Sequence, residues 1–321
     1  MPRPILLDVD TGTDDALAIL YAVRHPDLDV LGISCVAGNS GVDQVVRNTL
    51  KVLDAAGARR DLPVARGAAQ PLLERARPEG AFHGEDGLGG VVLPDPDRKP
   101  SSLTAVEMLR QEITNSAEPV TLVGLAPQIN LALLLTLHPE VLDNVQRIVF
   151  MGGSASVGNI TAVAEFNIWQ DPEAATCVVE SPVPKTMYGL DVFTRLAADQ
   201  ATADRLSAAE DPGARAAGEL LYRRGARSDR PGHDYVGLIG DAGALVHLTD
   251  PELFRTGTFP VRVNLAGIGR GQTIVDRRPV AQDANARASD PWPRVEVVLD
   301  ADLDAAAARF AEIVSGAGAR P

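Results

Sequence analysis

Short apolar segments alternate with amphipathic segments through much of the chain. The apolar segments predict β-strands at Pro4–Asp10, Val30–Ala37, Pro63–Arg66, Val120–Leu125, Arg147–Met151 and Lys185–Gly189. Helical spacing predicts α-helices at 14 to about 24, Val42–Ala56, Ser102–Asn115, Gln128–Leu137 and Pro172–Glu180. Strands that are apolar at nearly every position are typical of a sheet buried on both faces. The alternation therefore predicts an α/β fold with an open, mainly parallel sheet flanked by helices.

The second half of the chain has a less regular pattern. One or two exposed helices are expected over residues 201–225, strands at Pro260–Leu265 and Arg294–Leu299, and a closing helix near 302–314. The segment Asp276–Pro293 has few large apolar residues and predicts a long surface excursion. Because the sequence has neither an internal repeat nor a break in composition, we expect one large domain over residues 1–321.

Composition and charge narrow the range of partners. The 321 residues are 45% hydrophobic, which is enough for a substantial core, and the net charge is −13. This charge argues against nucleic acid or an anionic membrane as a partner, but not against a small neutral ligand. Two cysteines, Cys35 and Cys177, do not form a disulfide framework. No signal peptide or membrane-spanning stretch is recognisable, so we expect a cytoplasmic protein.

Four aspartates fall within eight residues, at the end of the first predicted strand and the start of the helix after it: Asp8, Asp10, Asp14 and Asp15. Carboxylates crowded in this way repel each other, and each is costly to ionise unless a cation lies among them. Hard divalent ions such as Ca²⁺ prefer oxygen ligands of this kind. The alternative is an acidic turn with an aspartate that caps the next helix, which would account for one or two of the four.

Several notable positions come at the carboxyl ends of predicted strands. Asp10, Asn39 and Leu125 each lie at or just beyond such an end, and the Gly152–Gly153 turn follows another strand. In open α/β sheets, ligands bind at this edge. The sequence therefore predicts that these residues converge on one rim of the molecule.

Taken together, these motifs resemble those of the inosine–uridine-preferring nucleoside hydrolase family. The segments that carry the resemblance are Asp8–Asp15, Val36–Asn39, Phe82–Gly87, Val123–Asn130, Met151–Gly153, Gly158–Asn159, Ala164–Asn167, Asp171–Ala175 and Gly240–Asp241. The resemblance extends from about Ile5 to Asp241 and is weaker beyond. It implies the nucleoside hydrolase fold with a Rossmann-like core, and hydrolysis of the N-glycosidic bond of ribonucleosides to ribose and free base.

The resemblance also implies one bound Ca²⁺ and a set of ligands for it. Carried over by position, the ligands are the carboxylates of Asp10, Asp15 and Asp241 and the backbone carbonyl of Leu125. Asp10 would also act as the general base for the attacking water. Family members are commonly dimers or tetramers, so the resemblance implies a homodimer or homotetramer.

The remaining family positions concern the substrate. Four residues would hold the ribose hydroxyls: Asp14, Asn159, Glu165 and Asn167. Asn39 would lie near the water and the anomeric carbon, and His83 would lie near the leaving base. The alternative for His83 is an ordinary solvent-exposed histidine in a glycine-rich loop.

One position departs from the family pattern. Many broad-specificity members carry a histidine immediately before the last aspartate ligand, where it can protonate the departing base, but this chain has Gly240 there. Glycine has no side chain to donate a proton. Help for the leaving base would then have to come from His83 or from the segment His233–Tyr235, and the identity of the base stays open.

Two other functions compete with the hydrolase. A haloacid-dehalogenase-like phosphohydrolase also begins with a strand and Asp-x-Asp, but it needs Thr or Val where this chain has Gly12, and it leaves Asp14 and Asp15 unexplained. A protein that binds a ribosyl ligand without cleaving it is the other alternative, because of Gly240.

Overall fold

The structure is a computed structural model that describes residues 2–75, 83–225, 235–278 and 291–316. The strands are β1 (Arg3–Val9), β2 (Leu28–Cys35), β3 (Val64–Arg66), β4 (Val120–Gly124), β5 (Val145–Met151), β6 (Lys185–Tyr188), β7 (Ala197–Asp199), β8 (Tyr235–Leu238), β9 (Phe254–Val263), β10 (Thr273–Val275) and β11 (Arg294–Ala301). The helices are α1 (Thr13–Arg24), α2 (Val42–Ala55), α3 (Ala105–Asn115), α4 (Ile129–Leu137), α5 (Phe166–Gln170), α6 (Pro172–Glu180), α7 (Leu190–Phe193), α8 (Gln200–Ser207), α9 (Pro212–Gly225), α10 (Ala242–Thr249) and α11 (Leu303–Val314).

The main sheet contains nine of these strands in the order β10-β9-β11-β6-β5-β4-β1-β2-β3. β1 pairs in parallel with β2 on one side and with β4 on the other. The chain therefore runs outward from β1 to β3 and then crosses back to β4, which makes the gap between β1 and β4 a topological switch point. Ligands bind at this point in open α/β sheets. The predicted fold class is confirmed.

Two apolar cores cover the two faces of the sheet. The start of α6 has the residues that are typical of a helix N-terminus. Asp171 caps α6, since its carboxylate accepts from the backbone N–H of Ala174 at 2.9 Å, and Pro172 takes the first helical position, as the sequence predicts. α1 is buried from Thr13 to Ala22, including both aspartates of its first turn. A helix buried on all sides places those carboxylates inside the protein.

The last part of the sheet differs from the prediction. The expected strand Pro260–Leu265 is the end of a longer strand, β9, that runs antiparallel to β11 and β10. β9 is half-exposed along most of its length and contains Gly257 and Pro260, so it lacks a continuous apolar signal. Most of the expected surface excursion, residues 279–290, lies outside the described residues. Among the helices that the structure does describe, none has the length and apolar character to span a bilayer.

Candidate active site

The carboxylate of Asp15 closes the turn between β1 and α1. Its oxygens accept from the backbone N–H of Gly12 at 2.9 Å and of Asp10 at 3.2 Å. Asp15 therefore caps the helix from inside its first turn, as the acidic-turn alternative predicts for one or two of the aspartates. That alternative does not explain why Asp14 is also buried there.

Asp14 and Asp15 meet Asp241 at the switch point. One carboxylate oxygen of each lies within 4.8 Å of the others, and all three side chains are buried. Asp241 is the residue just before α10, and it lies far along the chain from the other two aspartates. Asp10 lies beside this group rather than in it, whereas the resemblance implied Asp10 rather than Asp14 as a ligand. The full ligand set therefore stays a prediction.

The electrostatics of the cluster indicate a site for a cation. Burial raises the pKa of Asp10, and the neighbouring Asp15 carboxylate raises it further. Burial likewise raises the pKa of Asp15, with the charge of Asp14 as the next cause. Buried carboxylates this close together cannot all ionise without a compensating charge. The donor set consists of oxygens, which suits a hard divalent ion such as Ca²⁺.

The loop after β2 is attached to the carboxylates through Asn39. Its backbone N–H donates to Asp10 Oδ2 at 2.7 Å, and its side-chain amide donates to Asp15 Oδ2 at 3.4 Å. Gly38 allows this approach, because a Cβ atom there would come closer than 3.0 Å to the Asp10 side chain. The loop thus sets the direction of the Asp10 carboxylate.

A second polar group lies at the ends of β4 and β5. The side-chain amide of Asn167 donates to the backbone carbonyls of Leu125 at 2.9 Å and Met151 at 3.2 Å. Glu165 caps α5 by accepting from the backbone N–H groups of Asn167 and Ile168 at 2.9 and 3.1 Å, and burial raises its pKa to about 7. These bonds hold the segment 165–168 against the strand ends.

A cavity of about 300 Å³ opens over these groups. The polar residues that line it are Asp14, Asn39, His83, Asn159, Glu165, Asn167, Thr194 and Asp241, together with Leu125. Its apolar wall consists of Met151, Ile160, Phe166, Phe193 and Leu238. The residues that the family resemblance assigns to catalysis, the metal or the ribose therefore line this cavity, except Asp10 and Asp15, which lie next to it. A concave site with an apolar wall and convergent polar groups is typical of a small-molecule site.

His83 lies inside this site and is 6% exposed, so it is not a solvent-exposed loop histidine. Its Nδ1 atom lies 3.2 Å from the backbone nitrogen and 3.0 Å from the hydroxyl oxygen of Thr13. Asp14 Oδ1 lies 3.8 Å from the same nitrogen. Sequence reasoning missed Thr13, because its contact with His83 joins residues 70 apart in the chain and has no local signal.

Gly240 lies against Asp14 with a backbone φ of +58°, in the left-handed region. A Cβ atom there would come closer than 3.0 Å to Asp14 Cβ. The position thus has neither a side chain nor space for one. Of the alternative segment His233–Tyr235, His233 and Asp234 lie outside the described residues, and Tyr235 begins β8.

Asp8 has a structural role under the site. Its Oδ1 accepts from the Ser34 hydroxyl at 2.6 Å and from the Asn130 amide at 2.8 Å, which ties β1 to β2 and α4. Burial raises the pKa of Asp8 to about 7. Sequence reasoning also missed Asn130, although an amide in the first turn of the otherwise apolar α4 is a recognisable signal.

Comparisons with known proteins agree with this geometry. A family model described as inosine-uridine preferring nucleoside hydrolase matches residues 5–308. The pyrimidine-specific ribonucleoside hydrolase RihA of Shewanella oneidensis is 42% identical over 284 residues, which are 86% of this chain and 87% of that protein.

Two solved structures share the fold over almost the whole chain. A purine-preferring ribonucleoside hydrolase from Gardnerella vaginalis superposes with a TM-score of 0.88 at 29% identity, covering 98% of this chain and 99% of that chain. The plant nucleoside hydrolase PpNRh1 superposes with a TM-score of 0.88 at 27% identity, with the same coverage.

Proposed function

The chain belongs to the inosine-uridine preferring nucleoside hydrolase family and is an enzyme that acts on N-glycosyl bonds, and from this premise we propose that it uses one Ca²⁺ to hydrolyse ribonucleosides to ribose and free base. The observation that carries the proposal is the group of buried carboxylates, Asp14, Asp15 and Asp241, at the wall of a nucleoside-sized cavity. The phosphohydrolase alternative is wrong, because the chain belongs to a different family.

The cation would be held by oxygens at the switch point. Asp15, Asp241 and the Leu125 carbonyl are proposed ligands, together with Asp10, and Asp14 lies close enough to share the charge. When bound, the ion supplies positive charge that lets these carboxylates ionise together, orients the ribose diol and lowers the pKa of a nearby water.

Asp10 is the proposed general base. Its carboxylate is directed by the N–H of Asn39, and its burial beside Asp15 increases its affinity for a proton. A base of this kind removes a proton from the water as that water attacks the anomeric carbon. Asn39, which lines the cavity next to Asp10, would lie near the same water.

The sugar would be held on the oxygen-rich wall. Asp14, Asn159, Glu165 and Asn167 are the proposed partners of the ribose hydroxyls. Departure of the base develops oxocarbenium character at the sugar, as in glycoside hydrolysis. Fixed carboxylate and amide oxygens stabilise that positive charge more in the transition state than in the ground state.

The base would lie against the apolar wall, near Phe166 and Phe193, with His83 close to it. One relative is named pyrimidine-specific and one structural neighbour purine-preferring, so both classes of base belong in the test. Gly240 gives the leaving base no help from its own side chain.

A reducing-sugar assay over purine and pyrimidine ribonucleosides, with and without Ca²⁺, tests the proposal. We expect ribose release that needs the metal. The panel includes 2′-deoxyribonucleosides, which we expect to react on the order of 10⁴-fold less efficiently because the partners of the missing hydroxyl are left unpaired. Ligand binding without sugar release would instead support the ribosyl-binding alternative.

Two further properties stay predictions from the sequence. We propose a cytoplasmic location and a homodimer or homotetramer, the latter by analogy with the family. Cell fractionation and light scattering after size-exclusion chromatography measure them directly.

A further inference from the structure

One edge of the His83 ring lies against the start of α1. Nδ1 is within hydrogen-bond distance of both the backbone N–H and the hydroxyl of Thr13, the first residue of that helix. A Cβ atom on Gly12 would lie 2.8 Å from Nδ1 and 3.0 Å from Cε1. Glycine at position 12 therefore allows the ring to pack this closely against the helix start.

This contact determines which ring nitrogen carries the hydrogen. A backbone N–H can only donate, so Nδ1 accepts the bond from Thr13 through its lone pair. A neutral imidazole has one donor and one acceptor nitrogen, which leaves the hydrogen on Nε2. The partial positive charge at the start of α1 favours the same arrangement, because it attracts the lone pair on Nδ1.

We propose that Thr13 is a positioning residue that fixes His83 in its Nε2–H form, so that His83 presents a hydrogen-bond donor to the leaving base. The inference rests on the proposed function. The substrate it favours is a nucleoside whose base has an acceptor next to the glycosidic nitrogen, such as the 2-carbonyl oxygen of a pyrimidine or N3 of a purine.

The chemical consequence concerns the departing base. As the glycosidic bond breaks, its electron pair stays on the base, and negative charge spreads onto the acceptor that Nε2–H holds. A donor in a buried site stabilises such charge without prior reorganisation. The base leaves as an anion and takes its proton from water afterwards. Since Gly240 carries no side chain, this donor takes the place of an acid at that position.

Nitrogen-15 NMR of the histidine rings tests the tautomer without measuring activity. The His83 signals are assigned by their loss in His83→Gln. We expect Nδ1 to show the shift of an unprotonated nitrogen and Nε2 that of a protonated one. A proton on Nδ1, or rapid exchange between the two forms, would overturn the inference. This result stands even if no nucleoside is cleaved, which separates it from a failure of the proposed function.

Thr13 variants test the positioning role with the same signals. Thr13→Ser keeps both donors and should leave the shifts of His83 as they are. Thr13→Val keeps the backbone N–H but removes the hydroxyl, and should move the Nδ1 shift while Nε2 stays protonated. Identical spectra in all three proteins would show that the Thr13 hydroxyl does not act on the ring.

Two substitutions at His83 test the donor in catalysis. Glutamine places an amide near the position of Nε2, whereas asparagine places it near Nδ1. Loss of one such donor costs about 10²–10³-fold in kcat. We expect that loss on uridine or inosine for His83→Asn, partial recovery for His83→Gln, and a much smaller difference on p-nitrophenyl riboside, whose phenolate leaves without help. Equal losses for both variants on both kinds of substrate would contradict the donor role.

Discussion

The side-chain amide of Asn167 donates a hydrogen bond to the backbone carbonyl of Leu125 over 2.9 Å. The same amide also reaches the carbonyl of Met151 at the end of the neighbouring strand. A carbonyl oxygen has two lone pairs, so this bond leaves the Leu125 oxygen able to accept a second partner. Asn167 therefore orients the carbonyl that we propose as a cation ligand while it joins two strand ends.

Asn167→Asp should break this arrangement with little change in shape. The carboxylate has no N–H, so two buried carbonyls lose their donor and face an acceptor instead. We expect a loss of about 1–3 kcal/mol in the free energy of unfolding, measured in urea, and a large loss of hydrolysis. The matched control is Asn264→Asp, because Asn264 Oδ1 accepts from the Ala266 N–H and an aspartate keeps that role. Equal stability of the two variants would contradict the assignment.

Removal of the cation should destabilise the folded protein. Asp14, Asp15 and Asp241 would then repel each other at separations within 4.8 Å. We expect chelation to abolish hydrolysis and lower the melting temperature, with Ca²⁺ restoring both. A ligand at 100 times its Kd stabilises the folded state by about 2.7 kcal/mol. Asp241→Asn serves as the comparison, since its melting temperature should respond much less to Ca²⁺. A melting temperature that is independent of Ca²⁺ in the wild type would exclude the site.

Asp10→Asn should separate catalysis from folding. The amide oxygen can still accept from the Asn39 N–H, and one negative charge beside Asp15 is removed. We therefore expect the metal-free variant to be at least as stable as the wild type, while turnover of the metal-loaded variant falls by about 10²–10⁴-fold. The exposed Asp29→Asn is the control. Near-normal turnover in Asp10→Asn would assign the general base to another residue.

The sequence predicts one side of the site well. Asp10 and Leu125 follow buried apolar strands, and the rule that parallel strands end at a common edge brings them together without a structure. Asp241 reaches the same edge through the packing of α10, which no local pattern reports, so only the family resemblance suggested it. The length of strand β9 was underestimated because a half-exposed strand lacks a strong apolar signal.

Contacts between side chains were the least predictable part. The bond between Thr13 and His83 depends on how a loop returns to the start of α1, and the motif that contains Thr13 gives no sign of it. The left-handed backbone of Gly240 is similarly invisible, since a glycine in sequence does not reveal its φ angle. The sequence showed that a side chain was missing there, whereas the structure shows why one cannot be added.

His247 should make stability depend on pH. It is buried with its ring edge against Phe254, and burial lowers its pKa from 6.5 to about 4. Between these values the unfolded chain binds a proton that the folded protein does not. The free energy of unfolding is therefore unaffected by His247 protonation above pH 6.5. It decreases by roughly 3 kcal/mol as the pH falls toward 4, because the unfolded chain gains the proton first.

The comparison of wild type with His247→Leu isolates this effect. Asp8 and Glu165, whose pKa values are raised to about 7, produce the opposite slope, but they are present in both proteins and cancel in the difference. We expect urea unfolding to show the variant gaining relative stability as the pH is lowered from 8 to 4.5. A difference that does not change with pH would mean that the pKa of His247 is the same in the folded protein as in the unfolded chain.

Gly240→Ala should lower activity through Asp14. Two effects add in this variant: the cost of a side chain at φ +58° and the overlap of the new Cβ with Asp14. Gly267→Ala is the matched control, because Gly267 has φ +68° and open space around the position of a Cβ. We expect the control to lose about 1–2 kcal/mol of stability from backbone strain alone, and Gly240→Ala to lose more and also to bind ribose and Ca²⁺ less well. The histidine of other family members should be no better tolerated here, so Gly240→His should reduce hydrolysis of inosine and uridine rather than raise it. An increase in turnover would show that Asp14 can move and that position 240 can accept an acid.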